Sequence, residues 1–224
     1  MKVEIIETGS SGNCFLFNDS IIIDMGLPMS RLKDKIDFSK VTHILLTHIH
    51  GDHFHKTTLS NIHQNHKHII FVCGEWLFED LRLVFGGKTE RIEVIDMNKL
   101  YKFGDIKVAG FNAIHNVPNC GYRLIDSDGH KHIHVTDIST LYGLTAQGYD
   151  AATIECNYED VKALEFIKKA REDGSFSHLT KAMKNHLSVH EVIHFCKDNN
   201  IGQLTPIHIG KSTKKEVYEA LKAW

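Results

Sequence analysis

The sequence predicts an α/β fold of two β-sheets packed together with helices outside, a single domain over residues 1–224. Three observations carry this expectation. Short β-branched and apolar runs occur in both halves of the chain, with helical spacing between them. No low-complexity linker or shift of composition divides the chain. Apolar runs also end repeatedly in a polar, chemistry-bearing residue: His48 after Ile44-Leu45-Leu46, His115 after Phe111 to Ile114, Asp137 after His134-Val135-Thr136, Glu155 after Ala151 to Ile154, and His208 after Leu204 to Ile207. Side chains at strand ends can share one rim, where loops on a rigid scaffold carry chemistry.

In order, Val3 to Ile6 reads as a strand running into the small-residue turn Thr8-Gly9-Ser10-Ser11-Gly12-Asn13. Cys14 to Phe17 and Ile21 to Ile23 form a hairpin around Asn18-Asp19. After Asp24-Met25-Gly26, Ser30 is expected to cap a short helix through Ile36. Val41 to Thr47 is a strand, Thr57 to Asn65 a helix, and Ile69 to Cys73 a strand. Glu75 to Val84 is an amphipathic helix with Trp76, Leu77, Leu81 and Val84 inward. Strands follow at Ile92 to Ile95, Leu100 to Phe103, Ile106 to Ile114, Gly121 to Ile125 and Lys131 to Val135. The last part alternates strands at Ala151 to Ile154 and Gln203 to Ile207 with helices at Asp160 to Arg171, Val189 to Asp198 and Lys214 to Leu221.

Composition bounds the function. The hydrophobic share of 42% and charged share of 24% are those of an ordinary globular protein. A net charge of −2 argues against a strong, general attraction for polyanions. No apolar run approaches a membrane span, and no signal-peptide apolar region begins the sequence. Five scattered cysteines without a C-x-x-C pair lead to the expectation of a reduced, cytoplasmic setting, and Cys120 and Cys156 read as buried, inert thiols.

The densest chemistry lies in Thr47-His48-Ile49-His50-Gly51-Asp52-His53. His48 and His50 can converge on one ion, and Asp52 and His53 can reach a second. Imidazole and carboxylate without thiolate suit zinc, manganese or iron, with a position open for water. With 17 histidines present, rival clusters need a reading too. His190-Glu191-Val192-Ile193-His194 fits H-E-x-x-H but lacks a third ligand and is taken as coincidental. His130, His132 and His134 share one strand face and read as exposed or cross-strand residues. His63, His66 and His68 read as a solvated helix end.

With these residues in hand, the chain resembles the metallo-β-lactamase superfamily over nearly its full length. Thr47 to His53 matches that family's H-x-H-x-D-H signature, and Asp24 resembles its early structural aspartate. The resemblance implies a four-layer αββα sandwich and two divalent metal ions, zinc or manganese. His48, His50 and His115 would hold one ion, Asp52, His53 and His208 the other, and Asp137 would bridge them. Histidine at position 50, where redox di-iron members carry glutamate, favours hydrolysis. Phe54-His55-Lys56 replaces the glycines of glyoxalase-type members.

Glu155-Cys156-Asn157 and Asn185-His186-Leu187-Ser188 resemble the paired Glu and His motifs of the phosphodiesterase branch, which includes ribonuclease Z, small stand-alone nuclease-like proteins and phage anti-Pycsar cyclic-nucleotide phosphodiesterases. Asp52, Asp137, Glu155 and His186 are then the catalytic candidates. By that resemblance His186 is the general acid, Glu155 its orienting partner, and Asp137 orients a metal-bound hydroxide for attack on phosphorus. The Gly9 to Asn13 turn resembles the branch's first motif, which makes Ser10, Ser11 and Asn13 candidates for substrate contact.

The expected function is hydrolysis of a small or cyclic nucleotide, and the resemblance to anti-Pycsar enzymes extends that expectation to phage anti-defence. The alternatives are a nuclease acting on DNA or RNA ends, or a lactone or thioester hydrolase. The long arm by which ribonuclease Z grips tRNA is missing, which favours the compact substrate. Expected partners are a small nucleotide and a second copy of the chain, with nucleic acid as the alternative and no membrane. Residues 173–180 are the segment expected to reach that second copy.

Overall fold

Ile21-Ile22-Ile23 illustrates how the architecture starts from local chemistry. Three consecutive β-branched residues favour an extended backbone, and Asn18 and Asp19 before them adopt φ of 45° and 57°. Two left-handed residues make the tight turn whose twist matches a hairpin, so β2 (Cys14–Phe17) and β3 (Ile21–Ile23) pair antiparallel. The computed structural model describes residues 1–224 and shows an α/β fold of two six-stranded sheets with helices. No helix is long and apolar enough to cross a membrane.

The chain divides into two compact units, the first comprising Met1–Asn112 with Leu124–Gly129, the second Ala113–Arg123 with His130–Trp224. In the first unit a sheet runs in sequence order from β1 (Val3–Glu7) through β2, β3, β4 (His43–Leu45) and β5 (Ile70–Cys73) to β6 (Ile92–Val94). β3, β4, β5 and β6 are mutually parallel, so the C-terminal ends of β3, β4 and β5 open on one edge. Helices α2 (Lys56–Asn65) and α3 (Phe78–Val84) lay Leu59, Ile62 and Leu81 on the same apolar cluster as Ile22, Ile44 and Phe71. β7 (Tyr101–Phe103) and most of β8 (Ile106–Ala113) form an antiparallel hairpin here.

In the second unit most of β9 (Asn119–Ile125) precedes β10 (Lys131–Val135), β11 (Ala151–Glu155) and β12 (Gln203–Ile207). The last three are parallel, with Val135 opposite Ile154 and Glu155 opposite Ile207. Their C-terminal ends therefore meet at one edge. Helices α4 (Asp160–Glu172), α5 (Leu179–Asn185), α6 (Val189–Asp198) and α7 (Lys214–Lys222) fill the connections. α6 opens with a capping box in which Ser188 and Glu191 satisfy each other's backbone amides.

Several expectations are corrected. α1 covers only Met29–Leu32, with Pro28 rather than Ser30 at its cap, and Asp34 at φ 64° turns the chain away well before Ile36. The helix expected from Glu75 starts as a 3₁₀ turn, Glu75–Leu77, before α3. α5 was not anticipated: its N-cap, His178, makes no side-chain hydrogen bond and its seven residues hold one buried apolar side chain. His63 is buried and stacks on Phe85 at 4.1 Å, and His66 stacks on Phe38, so only His68 keeps the solvated character expected of this group. His132 and His134 are buried; His132 reaches across to Thr153 Oγ1 on β11 at 2.6 Å. All five cysteines are buried and outside any disulfide, as expected for Cys120 and Cys156.

Candidate active site

In the first unit, His48 to His53 leave β4 at the sheet's C-terminal edge, beside Asp24 at the end of β3. Asp24 is fully buried at φ 61°, a left-handed conformation that costs energy for a residue with a Cβ. Its carboxylate accepts from the Thr47 amide at 2.9 Å, from Thr47 Oγ1 at 2.9 and 3.0 Å, and from His53 Nδ1 at 2.6 Å.

These bonds decide tautomers. With Nδ1–H donated to Asp24, His53 Nε2 is the lone-pair nitrogen, and it accepts from Asn13 Nδ2 at 2.9 Å. Thr47 Oγ1 spends its proton on Asp24, so His48 Nδ1–H donates to Thr47 Oγ1 at 2.9 Å and leaves Nε2 as the base. His48 Nε2 lies 3.1 Å from His50 Nδ1. Two nitrogens bound about 2.0–2.1 Å from one tetrahedral ion stand about 3.3 Å apart, so this spacing suits shared ligation. Asp52 Oδ2 lies 3.5 Å from His53 Nε2.

The small-residue turn has a visible task in this unit. Asn13 is buried, its amide N donates to the Asp52 carbonyl at 2.7 Å, and its side chain donates to the same carbonyl at 3.1 Å. Gly26 passes so close that a Cβ there would lie 1.7 Å from the Asp52 carbonyl oxygen. Asn13 therefore braces the ligand loop, while Ser10 and Ser11 lie exposed on the turn.

In the second unit, Asp137, Glu155, His186 and His208 bring ligand atoms within 4.8 Å of one another. Asp137, two residues past β10, and His208, next after β12, take φ of 53° and 50°, so both are turned out of the strand path. Such left-handed, non-glycine residues cluster at functional sites. Asp137 Oδ1 lies 3.7 Å from His115 Nε2, and Oδ2 lies 3.8 Å from His208 Nε2. The two carboxylate oxygens of Asp137 thus face two different imidazoles. His115 Nδ1 faces the Asn185 carbonyl at 3.2 Å, which again assigns Nε2 as the base.

Glu155 is fully buried. Burial alone raises its pKa, but hydrogen bonds from His186 and His208 outweigh that and hold the carboxyl below its ordinary value. His186 Nδ1 donates to Glu155 Oε2 at 2.9 Å, and Glu155 Oε1 accepts from the Ile138 amide at 2.8 Å. His190 and His194, in contrast, are exposed on α6 and paired with Asp160 and Asp198, while Glu191 is spent in the capping box. The H-E-x-x-H match is a solvent face.

Two supporting residues were not singled out from the sequence. Asn119 Nδ2 donates to the carbonyls of Thr136 and Asp137 at 3.1 and 2.7 Å, holding the left-handed turn at Asp137. Asn157 Nδ2 donates to the His208 carbonyl at 3.0 Å and lies 3.2 Å from its Nδ1. Asn157, two residues beyond the end of β11, shared the strand-end position of the other candidates, whereas Asn119 opens β9 and carried no such signal.

Each unit's donor set is oxygen and imidazole nitrogen only, and His48, His53 and His115 keep Nε2 as the lone-pair nitrogen, so the residues present fit divalent cations. The sequence profile of the beta-lactamase superfamily domain matches residues 20–209. A search of curated proteins finds no match. Among solved structures, the fold is similar to the metallo-beta-lactamase fold protein YhfI from Bacillus subtilis, with 17% identity, a TM-score of 0.76, and coverage of 99% of this chain and 91% of that one. It is similar also to the short form of human tRNase Z, with 17% identity, a TM-score of 0.71, and coverage of 94% and 93%. A diphosphatase of the PhnP family shares 12% identity and a TM-score of 0.68, with coverage of 97% and 90%.

Proposed function

The chain belongs to the beta-lactamase superfamily, and from this premise we propose that it is a metal-dependent hydrolase acting on the phosphodiester of a small or cyclic nucleotide. The observation that carries the reading is the His186–Glu155 contact of 2.9 Å, with His186 also 3.6 Å from Asp137. A phosphodiester expels an alkoxide, a poor leaving group that needs a proton as the bond breaks. A histidine with one ring nitrogen anchored on a buried carboxylate offers the other for that transfer. The likeness in fold to tRNase Z and to a diphosphatase is consistent with phosphoryl chemistry.

In this reading residues 1–224 work as one domain with two divalent ions, zinc or manganese, held by His48, His50, Asp52, His53, His115, Asp137 and His208. When bound, such ions supply a nucleophilic water near neutral pH and neutralise charge on the phosphoryl oxygens. The chain's own residues do the rest. Asp24 and Thr47 keep His53 and His48 in the ligating tautomer. Asp137 orients the nucleophile, Glu155 fixes the His186 ring, and His186 passes its proton to the departing oxygen. Ser10 and Ser11 are offered as phosphate contacts from the exposed turn.

Buried free thiols support a reduced, cytoplasmic setting, and the reading keeps a second copy of the chain, reached through residues 173–180, as an expected partner. The test is hydrolysis of bis-p-nitrophenyl phosphate with added Mn²⁺ or Zn²⁺, then kcat/KM for cyclic mono- and dinucleotides against short single-stranded DNA and RNA. Chelator-sensitive activity with preference for a cyclic nucleotide is expected. Preference for oligonucleotides would make the protein a nuclease, and activity confined to lactones or thioesters would overturn the reading.

A further inference from the structure

β4 and β5 are parallel neighbours with Leu45 opposite Val72, so the segments following them emerge side by side in the first unit. One is the His48–His53 loop and the other carries Trp76. Both segments lie outside the carboxyl ends of these parallel strands, the edge that carries the His48–His53 candidates. Trp76 Nε1 donates to the carbonyl of Thr47 at 3.2 Å, immediately before His48. Gly74 makes room for the ring, since a Cβ there would lie 2.3 Å from the indole Cη2. The side chain is half-buried, and with Ile49 of the ligand loop it borders the apolar core.

The indole is therefore held at its edge by the ligand loop's own backbone and set against the chain at Gly74, so its orientation does not wait for a ligand. The geometry points to Trp76 as the surface on which a nucleobase stacks when a nucleotide phosphodiester occupies the His48–His53 loop; this rests on the phosphodiesterase reading above. An aromatic ring accepts any base, because every base presents a π-face, and stacking is worth about 1–3 kcal/mol per base. Anchoring through Thr47 sets the base at a constant distance from the ligand histidines. The selection is then for nucleotides over simpler phosphodiesters rather than for one base over another.

The experiment compares two diesters with the same leaving group, thymidine 5′-(p-nitrophenyl phosphate) and methyl p-nitrophenyl phosphate, in the metal-loaded protein. Trp76→Leu keeps apolar bulk but removes the π-face, and its preference in kcat/KM for the thymidine ester should fall about tenfold, through KM. Trp76→Phe retains a ring and should retain most of the preference. Independently of turnover, Trp224→Phe leaves Trp76 as the sole indole, whose fluorescence should be quenched by AMP and not by ribose 5-phosphate. An unchanged ester preference in Trp76→Leu, or no quenching by AMP, overturns the inference. Should the wild type hydrolyse neither diester, the phosphodiesterase reading falls while the titration still decides the stacking surface.

Discussion

His186 Nδ1 lies 2.9 Å from Glu155 Oε2, joining a residue at the C-terminal end of α5 to the last residue of β11. The carboxylate is fully buried and the imidazole partly exposed, so the pair has one anchored end and one end able to meet a substrate. That asymmetry suits a proton donor.

The first prediction concerns leaving groups. His186→Ala should slow hydrolysis of an alkyl-leaving diester by about 10²–10⁴-fold, the usual scale of general acid catalysis. Release of p-nitrophenolate, which leaves without a proton, should be affected far less. Equal losses on both substrates would show that His186 acts only in binding or folding. Glu155→Gln should follow the same pattern, because the amide keeps the shape but not the charge.

A second prediction concerns metal affinity. Asp24 holds His53 Nδ1 at 2.6 Å without being a proposed ligand, and carboxylates in that position typically contribute 10–100-fold to metal affinity. Asp24→Asn should weaken binding by about that factor in a chelator competition. Unchanged affinity would mean that the His53 tautomer is set by something else.

Gly26→Ala provides a third. The added methyl would meet the Asp52 carbonyl at 1.7 Å, backbone against backbone, where no side chain can swing aside. Thermal unfolding should show destabilisation of about 1–3 kcal/mol or more, and the displaced loop should lose metal. A variant with wild-type stability and metal content would contradict the close packing of these two segments.

Acid stability gives the fourth. Burial pushes the His132 pKa down from 6.5 to about 4. Below pH 6.5 the unfolded chain takes up a proton that the folded chain refuses, so stability falls as pH drops and levels off near pH 4; above 6.5 this residue contributes nothing. The loss is on the order of 3 kcal/mol over that window. In chelator, His132→Gln should unfold with a shallower pH slope, by about one proton, than the wild type. Parallel slopes would show that His132 is protonated in the folded state.

Much of this was legible in the residues themselves. Runs such as Ile21-Ile22-Ile23 and Ala151 to Ile154 announce strands by their β-branching, and the polar residue after each apolar run locates a candidate at a strand end. Helix boundaries were legible where apolar spacing is strong, as in α6, and failed in α5, whose seven residues bury only Leu179. The histidines were the hardest to judge. An imidazole stacks, buries or ligates with equal ease, and nothing near His63 in the sequence signals that Phe85 will lie against it.

The sequence by itself determined the strands, the residue types at their ends and the spacing of the His48–His53 loop, because strand periodicity and loop chemistry act over a few neighbouring residues. The resemblance had already paired Glu155 with His186, but only the tertiary structure decided what the other histidines would face: Asp24 for His53, and the Asn185 carbonyl, 70 residues away, for His115. Those partners are chosen by the order and register of parallel strands and by left-handed turns at Asp24, Asp137 and His208. Register is a property of the assembled sheet, so no short stretch of sequence contains it.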